Sequence, residues 1–388
     1  MRNPTNFDEI DMPLVLSEEV LQEIWSKQDV NPAELKTSDG LPLTILNPGQ
    51  WNKINRPDFT NAKIKVGSEE ICGDIQLHFF EKDWFFHGHQ DNPLYDKVIL
   101  HVVLFPSPQK LPPLIHNGRP IKTTFLLTAL RQSLEEYSEE YALLKRYEEA
   151  HANANLAINK WETLSSVDPQ AIIDSARFRW TQKHAFIQKR LNNSSLEETA
   201  HQLVLEVLGY KKNRIPMASL AHRIPLAEMK KYAAESLFNE ELGHWHLSGL
   251  RPANHPKARL QQYLNLLQRK MDWPEFLKKL SPTLSQKYDL SLTTPAFRKT
   301  YKLPLLAEIF AQKVLQGEIG GTRLHTIIVD ALLPLLAAQF SLDLFPLWYN
   351  WTCGDISDEV KSAAKKAHFQ IRCNGIHQGV LHYIVNEK

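Results

Sequence analysis

The segment Ile71–Phe80 reads ICGDIQLHFF. Successive side chains of a strand point to opposite faces. Ile71, Gly73, Ile75, Leu77 and Phe79 therefore share one face, and Cys72, Asp74, Gln76, His78 and Phe80 share the other. The first face suits a core. The second lines up a carboxylate, an amide and an imidazole, which need polar partners if they are buried. The chain can adopt only folds that bring such partners to this strand. The surrounding stretch, Asn47 to Phe105, also holds the densest set of acid/base and ligand-type side chains: Asp58, Asp83, His87, His89, Asp96 and His101.

Flanking patterns set the order of elements. Glu18 and Glu19 follow Ser17 and precede Val20, Leu21, Ile24 and Trp25, which predicts a capped amphipathic helix. Leu41 to Leu46 is a first expected strand, and Phe59 to Val66 a second. Gly67-Ser68-Glu69 is a hairpin-like turn into the polar-faced strand. Lys82 to His87 reads as a short helix or loop, and Val98 to Phe105 as a strand containing His101. Pro106 to Pro120 is proline-rich and reads as a linker. From about Thr123 to Ala157 the pattern becomes helical and charged, and helices continue from Pro169. Ser195 with Glu198 has the form of a capping box, and Gly209 that of a helix stop. Ile327 to Phe340 is nearly all apolar, as a central core helix would be.

The expected fold class is α+β (or α/β). A small mixed-sheet domain, residues 1–118, precedes a mainly α-helical domain, residues 119–388. The 388 residues are 43% hydrophobic and 23% charged, which argues against disorder. Lys and Arg number 45 against 44 Asp and Glu, so there is no global basic field for nucleic acid, although a local basic channel remains compatible. Three cysteines without a CxxC pair point to a reducing, cytoplasmic setting. The acidic first residues lack an apolar run, and the Ala331–Phe340 stretch is too short to span a bilayer, so no membrane association is expected.

Asp58 follows Pro57 at the start of the second expected strand, and Gln76-Leu77-His78 lies 18 positions on. This arrangement resembles the PD-(D/E)xK nuclease core. There two carboxylates from adjacent strands hold a divalent metal, and a lysine aligns the attacking water. The resemblance implies a metal-dependent phosphodiesterase acting on nucleic acid. Asp58, Asp74 and Gln76 would be ligands of Mg²⁺ or Mn²⁺, and Asp58, Gln76 and His78 the catalytic set. Gln76 stands where the pattern has a carboxylate, and His78 where it has lysine. A neutral amide is the weaker ligand; Asp74, on the same face, can compensate. His78 can act as base or ligand.

Two other readings stand beside this one. His78, His87, His89 and His101, with Asp83 or Asp96, form an N/O set suited to Zn²⁺ and other transition metals. That reading requires the four histidines to converge. Alternatively, the chain is a non-catalytic nucleic-acid- or protein-binding scaffold that retains a nuclease-like core, a reading that Gln76 favours. Among the basic segments, GLRPANHPKAR could present Arg251 and Arg259 to an anion, and Lys211-Lys212-Asn213-Arg214 could meet a nucleic-acid backbone. Gly320-Gly321-Thr322-Arg323 lacks the lysine ending of a phosphate loop.

The phrases PDFTNAKIKV, GDIQLHFFEKDWFFHGHQ, YDKVILHVV, VLGYKKNRIP and GLRPANHPKARL occur in this order. On them the chain resembles the bacterial family catalogued as domain of unknown function 2851. That resemblance implies a glutamate at the position of Gln76 in other members, within a G-(D/N)-x-E-x-H pattern. This chain would then lack the second carboxylate of a nuclease-like site.

Overall fold

The computed structural model describes residues 18–52, 57–106, 112–131, 137, 169–248, 250–356, 361, 364–365 and 370–385. Helix α1 (Glu18–Lys27) buries Val20, Leu21, Ile24 and Trp25 on one stripe. A six-stranded mixed sheet follows, built from β1 (Leu43–Asn47), β2 (Gln50–Trp51), β3 (Phe59–Val66), β4 (Glu69–His78), β5 (Val98–Val103) and β6 (Lys122–Phe125). The spatial order is β1-β3-β4-β5-β6, with β2 paired to β3. The β1–β3 and β3–β4 pairs are antiparallel, and β4–β5 and β5–β6 are parallel. A hairpin at Gly67, whose φ of +59° suits glycine, joins β3 to β4. A parallel pair needs a crossover, and the one from β4 to β5 carries the short helix α2 (Asp83–Phe86) and two single-turn 3₁₀ segments.

The two faces of β4 are covered differently. Ile75 and Leu77 join α1, Phe59, Ile64 and Leu100 in one apolar core. On the other face Trp84, Tyr95, Val98, Ile115 and Ile121 form a smaller cluster around the polar row. Of the Pro106–Pro120 segment expected as a linker, the described residues 112–120 contribute to this second layer. Leu114 pairs with Pro120 in an antiparallel bridge, and Ile115 and Ile121 are buried. Thr123 was expected to open a helical stretch, but it lies in β6. The buried edge of β5 needs backbone partners more than the local helical pattern can resist; Thr123 pairs with His101 there. The sheet thus continues past residue 118. The charged helix expected further on falls outside the described residues apart from Tyr137.

The rest of the described chain is mainly helical: α3 (Pro169–Asn193), α4 (Leu196–Leu208), α5 (Tyr210–Arg223), α6 (Pro256–Arg269), α7 (Gly321–Phe340) and α8 (Asn374–Val385), with shorter helices between. Helix α7 is apolar enough to cross a membrane by length and composition, yet 78% of its most apolar window is buried inside the protein, as in a core helix. A π-turn at Ile328–Leu332 precedes Pro334, whose ring cannot continue the regular ladder. That turn carries Asp330, which pairs with Arg214 at 2.6 Å and Lys183 at 3.3 Å. Arg214, expected as a nucleic-acid contact, thus points inward.

Ser195 caps α4 by accepting from the Glu198 N–H at 3.2 Å, but only half of the expected capping box forms. The Glu198 carboxylate instead accepts from Leu226 N–H, at 3.0 and 3.3 Å from its two oxygens. That amide begins the next short helix and has no acceptor of its own in the first turn.

The sheet and helices meet at Phe105, just after β5. Its ring stacks on His222 at 4.3 Å, and Ala218 of α5 belongs to the sheet's core. A second staple is His244, which reaches Glu34 at 2.6 Å and Glu241 at 2.9 Å. Its bond to Glu241 first, and that to Glu34 next, push its pKa up to about 9 against the opposing effect of burial. A raised histidine pKa adds stability that is complete below the unfolded value near 6.5 and disappears as pH rises through about 9.

Buried histidines in the helices act in the opposite direction. His201 donates from Nε2 to the Ile224 carbonyl at 3.0 Å and accepts on Nδ1 from the Tyr263 hydroxyl at 2.6 Å. Complete burial pushes it down to about 4. It folds neutral, so its contribution is present above pH 6.5 and is lost as pH falls from there towards 4. Urea titrations should therefore show the wild type losing roughly 2–3 kcal/mol through this residue between those pH values. A His201→Gln variant with the same pH slope would contradict this assignment.

Candidate metal centre

The polar row of β4 is buried. Asp74 and Asp58 are each 8% exposed, Gln76 is 5% and His78 is 0%. His101 on β5 stands beside Gln76 in the parallel register and is also fully buried. Beyond β4, His87 caps the C-terminus of α2, and Gly88 adopts φ +69° before a 3₁₀ turn begins at His89. This left-handed residue reverses the chain so that His87 and His89 both return to β4. A Cβ on Gly88 would meet nothing within 4 Å, so the position is constrained by its backbone angle alone. Gly88→Ala should accordingly destabilise by about 1–2 kcal/mol, read as a reduced urea midpoint with metal binding retained at low temperature.

All four histidines converge. His78 Nε2 lies 3.2 Å from His87 Nδ1 and 3.2 Å from His89 Nε2, and 3.4 Å from the Gln76 side-chain nitrogen. His78 Nδ1 is 2.8 Å from His101 Nε2. Tyr95 stacks on His89 with ring centroids 3.9 Å apart, and Trp84 sits edge-on to the same ring. These aromatics fix the ring planes. His87 is exposed while His78 and His89 are buried, so solvent reaches the cluster from the His87 side.

Burial first, and then the neighbouring histidines, hold His78 well below the ordinary imidazole range. The same causes hold His89 at about 4 and His101 at about 3. These rings are neutral at pH 7, and each keeps one nitrogen lone pair. One N–H on His78 Nε2 can serve only one of the two facing nitrogens. A single cation can serve all three. Ligand nitrogens of His78, His87 and His89 lie within 4.8 Å of one another. A tetrahedral ion with bonds of about 2.0–2.1 Å spaces its nitrogen ligands about 3.3–3.4 Å apart, close to the two 3.2 Å separations from His78 Nε2. If His78 Nε2 is the ligand atom, Nδ1 carries hydrogen and donates to His101. Such a bond fixes the tautomer and plane of a metal-bound imidazole.

The carboxylates named from the sequence have other tasks. Asp58 accepts from Leu77 N–H at 2.7 Å and from the Gln22 side chain of α1 at 2.7 Å. Its own N–H donates to Gln76 Oε1 at 3.2 Å, so the two residues of the nuclease-like pattern do meet. Asp74 accepts from Asn61 N–H at 3.1 Å, at a bulge where Asn61 has φ +56°. Both side chains satisfy backbone groups in and beside the β3–β4 hairpin. Asp83 accepts from Phe80 N–H at 3.0 Å and turns the chain into α2. Arg251 is exposed beside a 3₁₀ turn of the helical region, and Arg259 binds the amide oxygens of Asn254 at 2.6 Å and Gln262 at 2.8 Å.

Three residues near this centre were not singled out from the sequence. Burial, followed by the charge of Asp58, pushes Glu18 of α1 up to about 7. Burial likewise pushes Asp58 up to about 7 against its two hydrogen bonds. Lys189 of α3 lies over the Phe79 ring at 4.3 Å and interacts electrostatically with Glu18 and Asp83. Tyr95 is the third. Glu18 and Lys189 are separated from β4 by tens of residues of chain, and neither sits in a local motif.

No curated protein and no solved structure matches the chain. The model of the family described as "Protein of unknown function (DUF2851)" matches residues 18–242, which takes in α1, the whole sheet, the histidine cluster and α3 to α5. That match covers more than half of the 388 residues, and the chain belongs to this family.

Proposed function

We propose that this protein is a metal-dependent hydrolase of phosphodiesters, with a transition-metal ion held by His78, His87 and His89 and His78 oriented by His101. The observation that carries this reading is the meeting of three imidazole nitrogens at one point open to solvent on the His87 side. All-nitrogen donor sets favour Zn²⁺ over Mg²⁺. Three protein ligands leave a fourth position for water. An ion held there would supply Lewis-acid chemistry, activating water near neutral pH and polarising a phosphoryl oxygen. Glu18 and Asp58 are the nearby carboxyl groups suited to proton transfer, and Lys189 the nearby cation. The phosphodiester class is supported by the strand order: an antiparallel β1–β3–β4 set, a crossover to the parallel β5, and Asp58 in contact with Gln76.

A second reading, a non-catalytic scaffold, is favoured by one observation. Both oxygens of the Asp58 carboxylate are engaged in structural hydrogen bonds, and Gln76 accepts from backbone.

The test is calorimetric titration of metal-free protein with Zn²⁺ and Mn²⁺, followed by hydrolysis assays on bis(4-nitrophenyl) phosphate, single-stranded DNA and RNA. Zn²⁺ binding at one site with metal-dependent turnover supports the hydrolase. Binding without turnover supports the scaffold. Absence of binding by either ion rejects the metal centre.

A further inference from the structure

A cavity lies in the helical region, outside the residues that match the family model. Lined by residues between Arg298 and Thr352, it has a volume of about 350 Å³. That is at the lower end of the range of roughly 300–1,000 Å³ typical of small-molecule sites. Leu324, Ala307 and Trp351 form much of its apolar wall, and Arg298, His325 and Glu308 bring polar groups to it.

We infer that this cavity binds a small zwitterion with an apolar side chain, of the size of a free α-amino acid. Arg298 supplies the first half of the argument. Its Nε–H donates to the Asn350 carbonyl at 2.9 Å, and its Nη2 group donates to the carbonyls of Trp351 at 3.1 Å and Arg372 at 3.0 Å. These bonds fix the guanidinium but do not neutralise it. Among the described residues no carboxylate lies within ion-pair distance of Arg298, and its two Nη1 hydrogens have no acceptor. His325 adds a neutral donor. The Trp351 indole N–H can only donate, and it reaches His325 Nδ1 at 3.3 Å. The hydrogen of His325 is therefore on Nε2, which has no acceptor among the described residues. A guanidinium edge and an imidazole N–H lining one cavity form a carboxylate-binding pair.

Glu308 supplies the second half. It lines the same cavity, is exposed, and makes no ion pair among the described residues. A simple organic anion would meet its repulsion. A ligand with both a carboxylate and an ammonium group matches both charges. The wall of Leu324, Ala307 and Trp351 then takes an aliphatic or aromatic side chain.

The experiment is calorimetric titration of the full chain with L-leucine, 4-methylpentanoic acid (the same skeleton without the amine) and 3-methylbutylamine (without the carboxylate). Leucine is expected to bind with a Kd at or below roughly 1 mM, and each truncated probe about tenfold or more weaker. Glu308→Gln should weaken leucine about tenfold and leave the acid unchanged or improved. This side chain is exposed and makes no ion pair among the described residues, so the variant keeps its fold. Ala307→Phe should fill the cavity and abolish leucine binding, with the thermal midpoint as a control for folding. The inference is overturned by no binding of leucine at about 10 mM, by the acid binding as well as leucine, or by Glu308→Gln leaving leucine affinity unchanged. Each outcome is independent of metal loading at the histidine cluster.

Discussion

Replacing His87 with alanine is expected to lower Zn²⁺ affinity at least 100-fold while leaving the fold intact. The side chain is exposed and makes no bond that the sheet needs, so its removal costs little stability. It supplies one of the three clustered imidazole nitrogens, the other two being those of His78 and His89. Loss of one ligand from a three-residue set leaves two, too few to hold the ion against solvent. Calorimetry gives the affinity, and circular dichroism melting gives the control. His101→Phe makes a complementary case. It keeps an aromatic ring at a fully buried position but removes the acceptor for His78 Nδ1. It should weaken binding by about 10–100-fold, the range seen when an orienting partner of a ligand is lost. Unchanged Zn²⁺ affinity in His87→Ala would remove the metal centre from consideration.

The second large effect is on stability, at the seam between sheet and helices. Arg190 of α3 is 1% exposed. Its guanidinium lies 4.5 Å from the Phe186 ring centroid and 5.0 Å from that of Phe105, and it pairs with Glu206 of α4 at 2.7 Å. Glu206 is 20% exposed, so the carboxylate keeps some water and the cation keeps almost none. Glu206→Gln removes the charge that compensates a buried guanidinium and should cost about 3–5 kcal/mol. In a chain of this length that lowers the melting midpoint by only about 4–6 °C, because the unfolding entropy grows with size. Urea titration is the more direct measurement. Arg190→Met alone should cost less, since the partly exposed Glu206 can rehydrate. The double variant Arg190→Met/Glu206→Leu should recover most of the loss, because apolar packing often replaces a buried pair without penalty. A double variant as unstable as Glu206→Gln would show that the guanidinium's aromatic contacts, rather than its charge, carry the seam.

Much of the N-terminal half could be read in advance. The alternation over Ile71–Phe80 placed Asp74, Gln76 and His78 on one face, and the structure has them there. The apolar spacing of Val20, Leu21, Ile24 and Trp25 gave α1, and Gly67-Ser68 gave the hairpin. These features depend on periods of two or 3.6 residues and on turn chemistry, and both are local. The segment around Thr123 was misread because its strand state depends on an edge that β5 offers, which no local pattern encodes. Ile115 and Ile121 were hidden for the same reason: a proline-rich segment looks like a linker until a layer needs covering.

The sequence alone determined which side chains were available for chemistry and which face of β4 they would occupy, because strand geometry enforces that alternation. Only the tertiary structure decided which of them meet. The parallel crossover from β4 to β5, turned at Gly88, gathers His78, His87, His89 and His101 at one point. The β3 bulge and α1 draw Asp74 and Asp58 into backbone bonds. Glu18 and Lys189 arrive from helices that precede and follow the sheet in the chain. Convergence is a property of chain path, set by buried backbone groups that must find partners and by apolar layers that must be closed, and neither requirement is written in the spacing of the residues that do the converging.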